Sequence, residues 1–426
     1  MYYYQLGNKI ACSFHAYDGL ETAGTGKASR VSLFLFDRNP AYSRSSFLVN
    51  HPSLLYQTEE GAFWLSEGEL AKRSGDYRDA VQFAADQHVL AAVEAGRLRA
   101  VNTAYPDFEA LAEENLPLKR GGGKKTVHML AVGDVGSNVL TGLHLLGGDC
   151  ISKIGIYDVA EKNVARWEFE INQITPPWSY HEMPEVYPVS REKLFDCDVF
   201  LFTASAGIPP VDSGIRDVRM YQFEKNAKII AEYARQARAD HFNGLFCVIS
   251  DPVDPLAKAA FTASNTDEHG FYDGLGLLPE QIQSYGLGVM NARAAYYAKR
   301  DARFAHFLTE GRAFGPHGQE LVIADSVTDY NDTLSRELTH LVVTANLHMR
   351  ELGFKPYVAP AYSSAALNIL RTIRGEWHYG GVFFGGIYMG VKNRYTSNGQ
   401  EHEILPLPDT LFRRIADAEE TLRLVN

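Results

Sequence analysis

Leu130-Ala-Val-Gly-Asp-Val-Gly136 ends an apolar, strand-like stretch running from Val127 to Val132, and its reading decides the fold. It is a G-x-G-x-x-G pattern with Ala131 in the first glycine's place and Gly133 and Gly136 in the second and third. A tight turn of this kind brings backbone N–H groups and a helix N-terminus up to a pyrophosphate, where no side chain fits at the closest approach. Asp158 ends the next strand, Ile154 to Tyr157, 22 positions beyond Gly136, near the interval of roughly 20 at which an acid meets the adenosine ribose hydroxyls. An acid there repels a 2′-phosphate, so NAD is expected over NADP. The cofactor contacts expected in this unit are Ala131, Gly133, Asp134, Val135, Gly136 and Asp158. Further apolar strands at Asp198 to Phe202 and Leu245 to Ile249 continue the alternation of strand and helix, which predicts a doubly wound parallel sheet covered on both faces.

Upstream of this unit, Lys119-Arg-Gly-Gly-Gly-Lys-Lys125 reads as a solvated connector, since three glycines flanked by charges add nothing to a core. Residues 1 to about 118 form a separate small α+β module of unknown role. Strands are expected there at Val31 to Phe36, Phe47 to Val49 and Leu54 to Gln57, and a helix over Asp79 to Ala95, stopped by Gly96. Gly24-Thr-Gly-Lys-Ala-Ser29 imitates a phosphate loop, but Glu21 and Ala28 occupy places that the Walker pattern reserves for Gly and Ser/Thr. It reads as an ordinary loop.

The 426 residues carry 41 Lys+Arg against 52 Asp+Glu, a net charge of −11, the wrong sign for a protein that grips a phosphate backbone, so nucleic acid is not expected as a partner. No apolar run reaches the roughly 18 residues a membrane helix needs. The opening Met1 to Lys9 shows no basic stretch followed by an apolar one, and the four cysteines are scattered without a C-x-x-C pair. A cytoplasmic, metal-free protein is expected.

Beyond Asp158 the sequence resembles the lactate/malate dehydrogenase superfamily, in order, through nearly all of residues 126 to 426. Asp198-Val-Phe-Leu-Phe-Thr-Ala-Ser-Ala-Gly-Ile-Pro209 resembles that family's fourth strand and T-A-G-x-P turn with one residue inserted, and Ser250-Asp-Pro-Val-Asp254 its N-P-V-D segment. Tyr285 to Arg293 resembles the L-D-x-x-R helix, and Phe314-Gly-Pro-His-Gly-Gln319 the G-E-H-G-D histidine loop. Tyr357 to Ala365 and Glu403 to Pro408 resemble the last helices and strands. The resemblance implies a Rossmann NAD-binding domain at 124–290, an α+β catalytic domain at 291–426, a homo-oligomer, and further cofactor contacts at Thr203, Ala204, Ser205 and Ser250.

It also implies hydride exchange between nicotinamide and a 2-hydroxy/2-oxo acid or related alcohol. A histidine titrating near neutrality suits the accompanying proton transfer, and His317 is the candidate. Arg293 is the candidate carboxylate clamp, and Arg216 or Arg219 the mobile polarising arginine. Three positions depart from the pattern. Asn291 stands where a carboxylate should orient the histidine, Ala294 where the clamp arginine belongs, and Pro210 where malate enzymes carry a second arginine. Reciprocally, Asp251 replaces an asparagine at the sheet's carboxyl edge. Asp251 either supplies the charge His317 lacks, faces a cationic or hydroxyl-rich substrate, or simply caps a helix. The departures also admit a second reading, a degenerate relative that binds NAD for sensing or assembly. NAD-using glycosidases hold a metal with Cys and His, and no Cys lies near His317 in the sequence.

Overall fold

The computed structural model describes residues 1–81, 86–113, 118, 123–206, 218–318 and 320–424. Most of the Gly-rich connector therefore lies outside the described residues. The N-terminal region holds strands β1 (Tyr2–Leu6), β2 (Lys9–Ser13), β3 (Val31–Phe36), β4 (Ser46–Leu48) and β5 (Arg99–Asn102) in one mixed sheet, ordered β1-β2-β3-β5-β4. Helices α1 (Glu67–Val81), α2 (Gln87–Glu94) and α3 (Phe108–Glu113) accompany it.

Two expectations fail here. The segment expected as a strand at Leu54 to Gln57 is a 3₁₀ turn, Pro52–Tyr56. Pro52 presets its first φ, and His51 Nδ1 accepts the Ser53 amide at 3.2 Å, so the apolar Leu54, Leu55 and Tyr56 reach the core from a coil rather than a sheet. The single helix expected over Asp79 to Ala95 is instead the end of α1 and a separate α2, because the Asp86 carboxylate caps a fresh start by accepting the His88 amide at 2.8 Å.

The central sheet is the one the opening motif predicts. Strands β6 (Lys125–Leu130), β7 (Ile151–Tyr157), β8 (Glu185–Pro188), β9 (Val199–Phe202), β10 (Leu245–Val248) and β11 (Ile282–Ser284) are all parallel, in the order β11-β10-β9-β6-β7-β8. This is the 3-2-1-4-5-6 order of a doubly wound dinucleotide fold, whose strand order reverses between β6 and β9 and opens a crevice at the carboxyl edge. The helices that cover it are α4 (Asp134–Leu146), α5 (Glu161–Ile171), α6 (Val218–Ala239) and α7 (Val253–Ser264). Val127, Met129, Leu201 and Cys247 pack on one face, and Phe200, Phe202, Phe246 and Val248 on the other. Such two-sided burial is why these strands read as continuous apolar runs.

The remainder comprises α8 (Leu287–Ala298), α9 (Phe307–Glu310), a hairpin of β12 (Arg312–Phe314) and β13 (Val322–Ala324), α10 (Asp332–Glu351) and α11 (Leu367–Ile373). An antiparallel meander of β14 (His378–Phe384), β15 (Ile387–Thr396) and β16 (Gly399–His402) follows, and then α12 (Asp409–Leu424). The boundary expected between residues 290 and 291 falls inside α8. The N-terminal module packs into the rest of the chain: Phe47, Trp64 and Leu65 share one core with Val382, Phe384 and Met389 of the meander and with Leu411 and Ile415 of α12. Backbone bonds from Glu67 N to Leu405 O and from Leu405 N to Leu65 O, each 2.9 Å, join the two chain segments. Glu280, just before β11, accepts the amides of Ser45 and Ser46 at 3.2 and 3.1 Å. Among the described residues no helix is long and apolar enough to cross a membrane.

Candidate active site

The turn after β6 is built for close approach. Ala131 adopts φ +74°, a left-handed conformation that explains why a glycine is the usual residue in this place. A Cβ on Gly136 would lie 2.3 Å from the Ala131 carbonyl oxygen and 2.8 Å from Thr203 Oγ1, so the third glycine is obligatory packing between helix and strand. A Cβ on Gly133 would meet nothing within 4 Å, because that residue faces the open crevice. Gly133 gives α4 no side-chain cap, and Ser137 N is the first amide to reach back, to Gly133 O at 2.9 Å. The amides of Asp134, Val135 and Gly136 therefore have no preceding helical turn to bond to, and they present donors and positive dipole to the crevice.

Half-buried Asp158 anchors this turn and points its carboxylate at the same opening. Oδ2 accepts the Val132 amide and Oδ1 the Ala160 amide, both at 2.9 Å, which leaves each oxygen a lone pair for a ribose hydroxyl. Thr203 Oγ1 donates to Leu130 and Ala131 carbonyls at 2.7 Å, and Ser250 Oγ to the Ala204 carbonyl at 2.6 Å, while Ser205 is exposed on the same loop. The donor set fits an anionic dinucleotide. Among the described residues Asp134 is a discordant charge, and it stands 3.7 Å from Lys355 Nζ.

Across the crevice, His317 sits in the turn between β12 and β13. Gly315 opens that turn at φ +94°, with its amide bonded to Gly390 O of β15 at 2.9 Å, and Gly318 N closes it on Pro316 O at 2.8 Å. Under the ring lies Gly286, the N-cap of α8, where any Cβ would come within 2.7 Å of both His317 Cβ and Val253 Cγ2. His317 Nδ1 lies 2.9 Å from Asp251 Oδ1. An ionised carboxylate only accepts, so Nδ1 is the donor and Nε2 is the ring's proton-accepting nitrogen. The histidine side chain is 18% exposed and the aspartate 56%. Asn226 of α6 fixes the aspartate's backbone, donating Nδ2 to Asp251 O at 2.9 Å while its Oδ1 accepts the Ala206 amide at 2.9 Å. The Asp251–Pro252 peptide is cis.

Several expected residues are placed differently. Asn291, expected to orient the ring, is half-buried on α8 and makes no hydrogen bond to His317; the ring's partner is Asp251. The helix-cap reading of Asp251 does not hold for α7, whose N-cap is Pro252 and which has no side-chain cap. Arg293 Nη1 donates to Val342 O of α10 at 3.4 Å and to Met290 Sδ at 3.6 Å. Burial pushes its guanidinium below the usual arginine range, against the pull of Tyr297 and the Asp251 carboxylate. Ala294 is fully buried. Arg219 lies in the first turn of α6, and Arg216 and Pro210 lie outside the described residues. The sequence reading did not single out Gly286, Asn226 or Lys355 as site residues. A close-approach glycine leaves no trace in one sequence, and the Lys355 pairing spans the two halves of the chain.

Residues 125–271 match the family described as lactate/malate dehydrogenase, NAD binding domain. This segment belongs to the lactate/malate dehydrogenase superfamily. Its cofactor is NAD. The chain is 26% identical over 255 residues to a malate dehydrogenase of Aliarcobacter butzleri, covering 57% of this chain and 75% of that one. It is 23% identical over 259 residues to L-lactate dehydrogenase 1 of Listeria innocua, covering 60% and 71%. Its fold is that of the malate dehydrogenase of Archaeoglobus fulgidus solved with NADH, with TM-score 0.55 and 16% identity over 70% of this chain and 97% of that one. A lactate dehydrogenase from a Medee basin deep-sea metagenome gives TM-score 0.56 and 17% identity over 71% and 97%. The superfamily match begins at residue 125 and leaves the N-terminal module outside it.

Proposed function

We propose that the protein is an NAD-dependent oxidoreductase acting on a 2-hydroxy/2-oxo acid or related alcohol, with His317 as the acid/base. The observation that carries this reading is the 2.9 Å His317–Asp251 pair at the carboxyl edge of the sheet. Bound NAD supplies the hydride acceptor. The chain's part is to take the hydroxyl proton at His317 Nε2 as the substrate C–H bond gives up its hydride, and to return it in the reverse direction. Asp251 holds the ring through Nδ1 and offsets the positive charge that forms on it, doing from the β10 edge what a carboxylate on α8 would otherwise do. Asn226 holds the Asp251 backbone in place, and Gly286 leaves the room that His317 occupies.

Incubating the protein with NADH and a panel of 2-oxo acids tests this. Oxidation of NADH is expected with at least one acid, and His317→Asn is expected to slow it by about 10²–10⁴-fold with NADH affinity unchanged. A second reading, an NAD binder without turnover, is favoured by one observation: the Arg293 guanidinium is engaged by Val342 and Met290. Tight NADH binding with no oxidation across the panel decides for it.

A further inference from the structure

A cavity of about 560 Å³ lies between the N-terminal module, the Gly385-Gly386 turn and α12, and none of its lining residues belongs to the crevice described above. Arg38 lines it. The guanidinium carbon of Arg38 stacks 4.7 Å from the Phe36 ring centroid and 5.9 Å from that of Trp64, while its backbone amide and carbonyl are held by Asn102. Among the described residues the guanidinium has no hydrogen bond or ion pair, and its Nη1 is buried with no acceptor. Arg44 lies near enough for the two charges to repel. Its Nε pairs with Glu60 Oε2 at 3.0 Å, but Nη1 and Nη2 are likewise buried without acceptors.

Glu60 cannot serve both arginines. Its Oε1 already accepts Ser43 Oγ at 2.7 Å and the Arg44 amide at 2.9 Å. Glu419, also on the wall, is taken by Arg423 at 2.6 Å and by the Ala62 amide at 2.9 Å. Two guanidinia thus share one buried carboxylate, and an uncompensated buried charge is unfavourable. Arg73, on the rim of the same cavity, stacks 4.0 Å over the Phe63 ring and has no ion pair among the described residues. Stacking occupies the faces of both arginines and leaves their N–H edges for a bidentate acceptor.

We propose that this cavity binds a small oxyanion, a carboxylate or phosphate group received by Arg38 and Arg73. Glu59 and Glu420 on its exposed rim limit the ligand to one of low charge. Its occupation ties the N-terminal module to α12. The site is independent of the dinucleotide crevice, and nothing in it depends on the dehydrogenase reading.

Calorimetric titration of the full chain, with NADH present to fill the α4 N-terminus, tests the proposal using sodium acetate and inorganic phosphate separately against chloride at matched ionic strength. Saturable binding of at least one anion is expected, and which one assigns carboxylate or phosphate. Arg38→Met is expected to abolish it, and Arg73→Gln, on the exposed rim, to weaken it at least about tenfold. Without anion, Arg38→Met is expected to melt at or above the wild-type temperature, because it removes the uncompensated charge. No saturation by either anion, binding undiminished in Arg73→Gln, or an Arg38→Met protein that melts well below wild type overturns the proposal.

Discussion

The pair His317 and Asp251 explains two exchanges that look like losses in the sequence. A carboxylate missing from α8 reappears on the loop after β10, 2.9 Å from the same imidazole. Asp251→Asn keeps a hydrogen-bonding group but removes the charge, and an amide can present either end to the ring. We expect kcat to fall by at least about 10²-fold with NADH affinity within about twofold of wild type. Steady-state kinetics and NADH titration check both halves, and an unchanged kcat would remove Asp251 from the mechanism. Ala131 carries a different cost, since φ +74° disfavours any residue with a Cβ. Ala131→Gly is expected to leave the fold intact and to stabilise it by up to about 1 kcal/mol, read from urea unfolding. At this scale the Ala131–Gly136 turn was legible because its spacing follows one turn of chain. The His317 partner was legible only as one of several alternatives, because 66 residues separate it from the ring.

Among the elements, α8 does most to position the chemistry. Its N-cap, Gly286, lies under His317, while Ser364 fastens the same end by accepting the Val289 amide at 3.0 Å and donating to Gly286 O at 2.7 Å. Gly286→Ala must push the His317 Cβ or Val253 aside. It is expected to lower kcat at least about tenfold without weakening NADH, because a displacement near 1 Å at a reacting group costs that much or more. Equal loss of cofactor affinity would instead show that the whole crevice had shifted. Parallel strands with two buried faces were readable as apolar runs. The 3₁₀ turn Pro52–Tyr56 was not, because a short apolar run has no period that separates coil from strand.

For the whole molecule, the N-terminal module shares a core with the C-terminal meander and α12. Removing residues 1–118 would strip Phe47, Trp64 and Leu65 from Val382, Phe384 and Leu411. The truncated chain is expected to aggregate, whereas a monomeric, cooperatively folding remainder by sedimentation and calorimetry would contradict the shared core. The Gly-rich connector suggested independence because composition reports the linker and not what packs beyond it. Two buried histidines make the fold acid-sensitive. Burial pushes His378 down to about 4, and burial with the nearby Arg44 charge pushes His402 down to about 3. The unfolded chain then binds more protons than the native one below the ordinary histidine range. Stability is full above about pH 6.5 and falls as pH drops toward 4, by up to about 1.4 kcal/mol per unit for each ring. Urea unfolding at pH 7 and pH 5 checks the slope, which His402→Gln should flatten. The most direct test of the central claim is a crystal structure with NADH bound. It should show the pyrophosphate on the amides of Asp134 to Gly136, the adenosine ribose on Asp158, and the nicotinamide ring turned toward His317 Nε2. A nicotinamide directed away from the His317–Asp251 pair would contradict it.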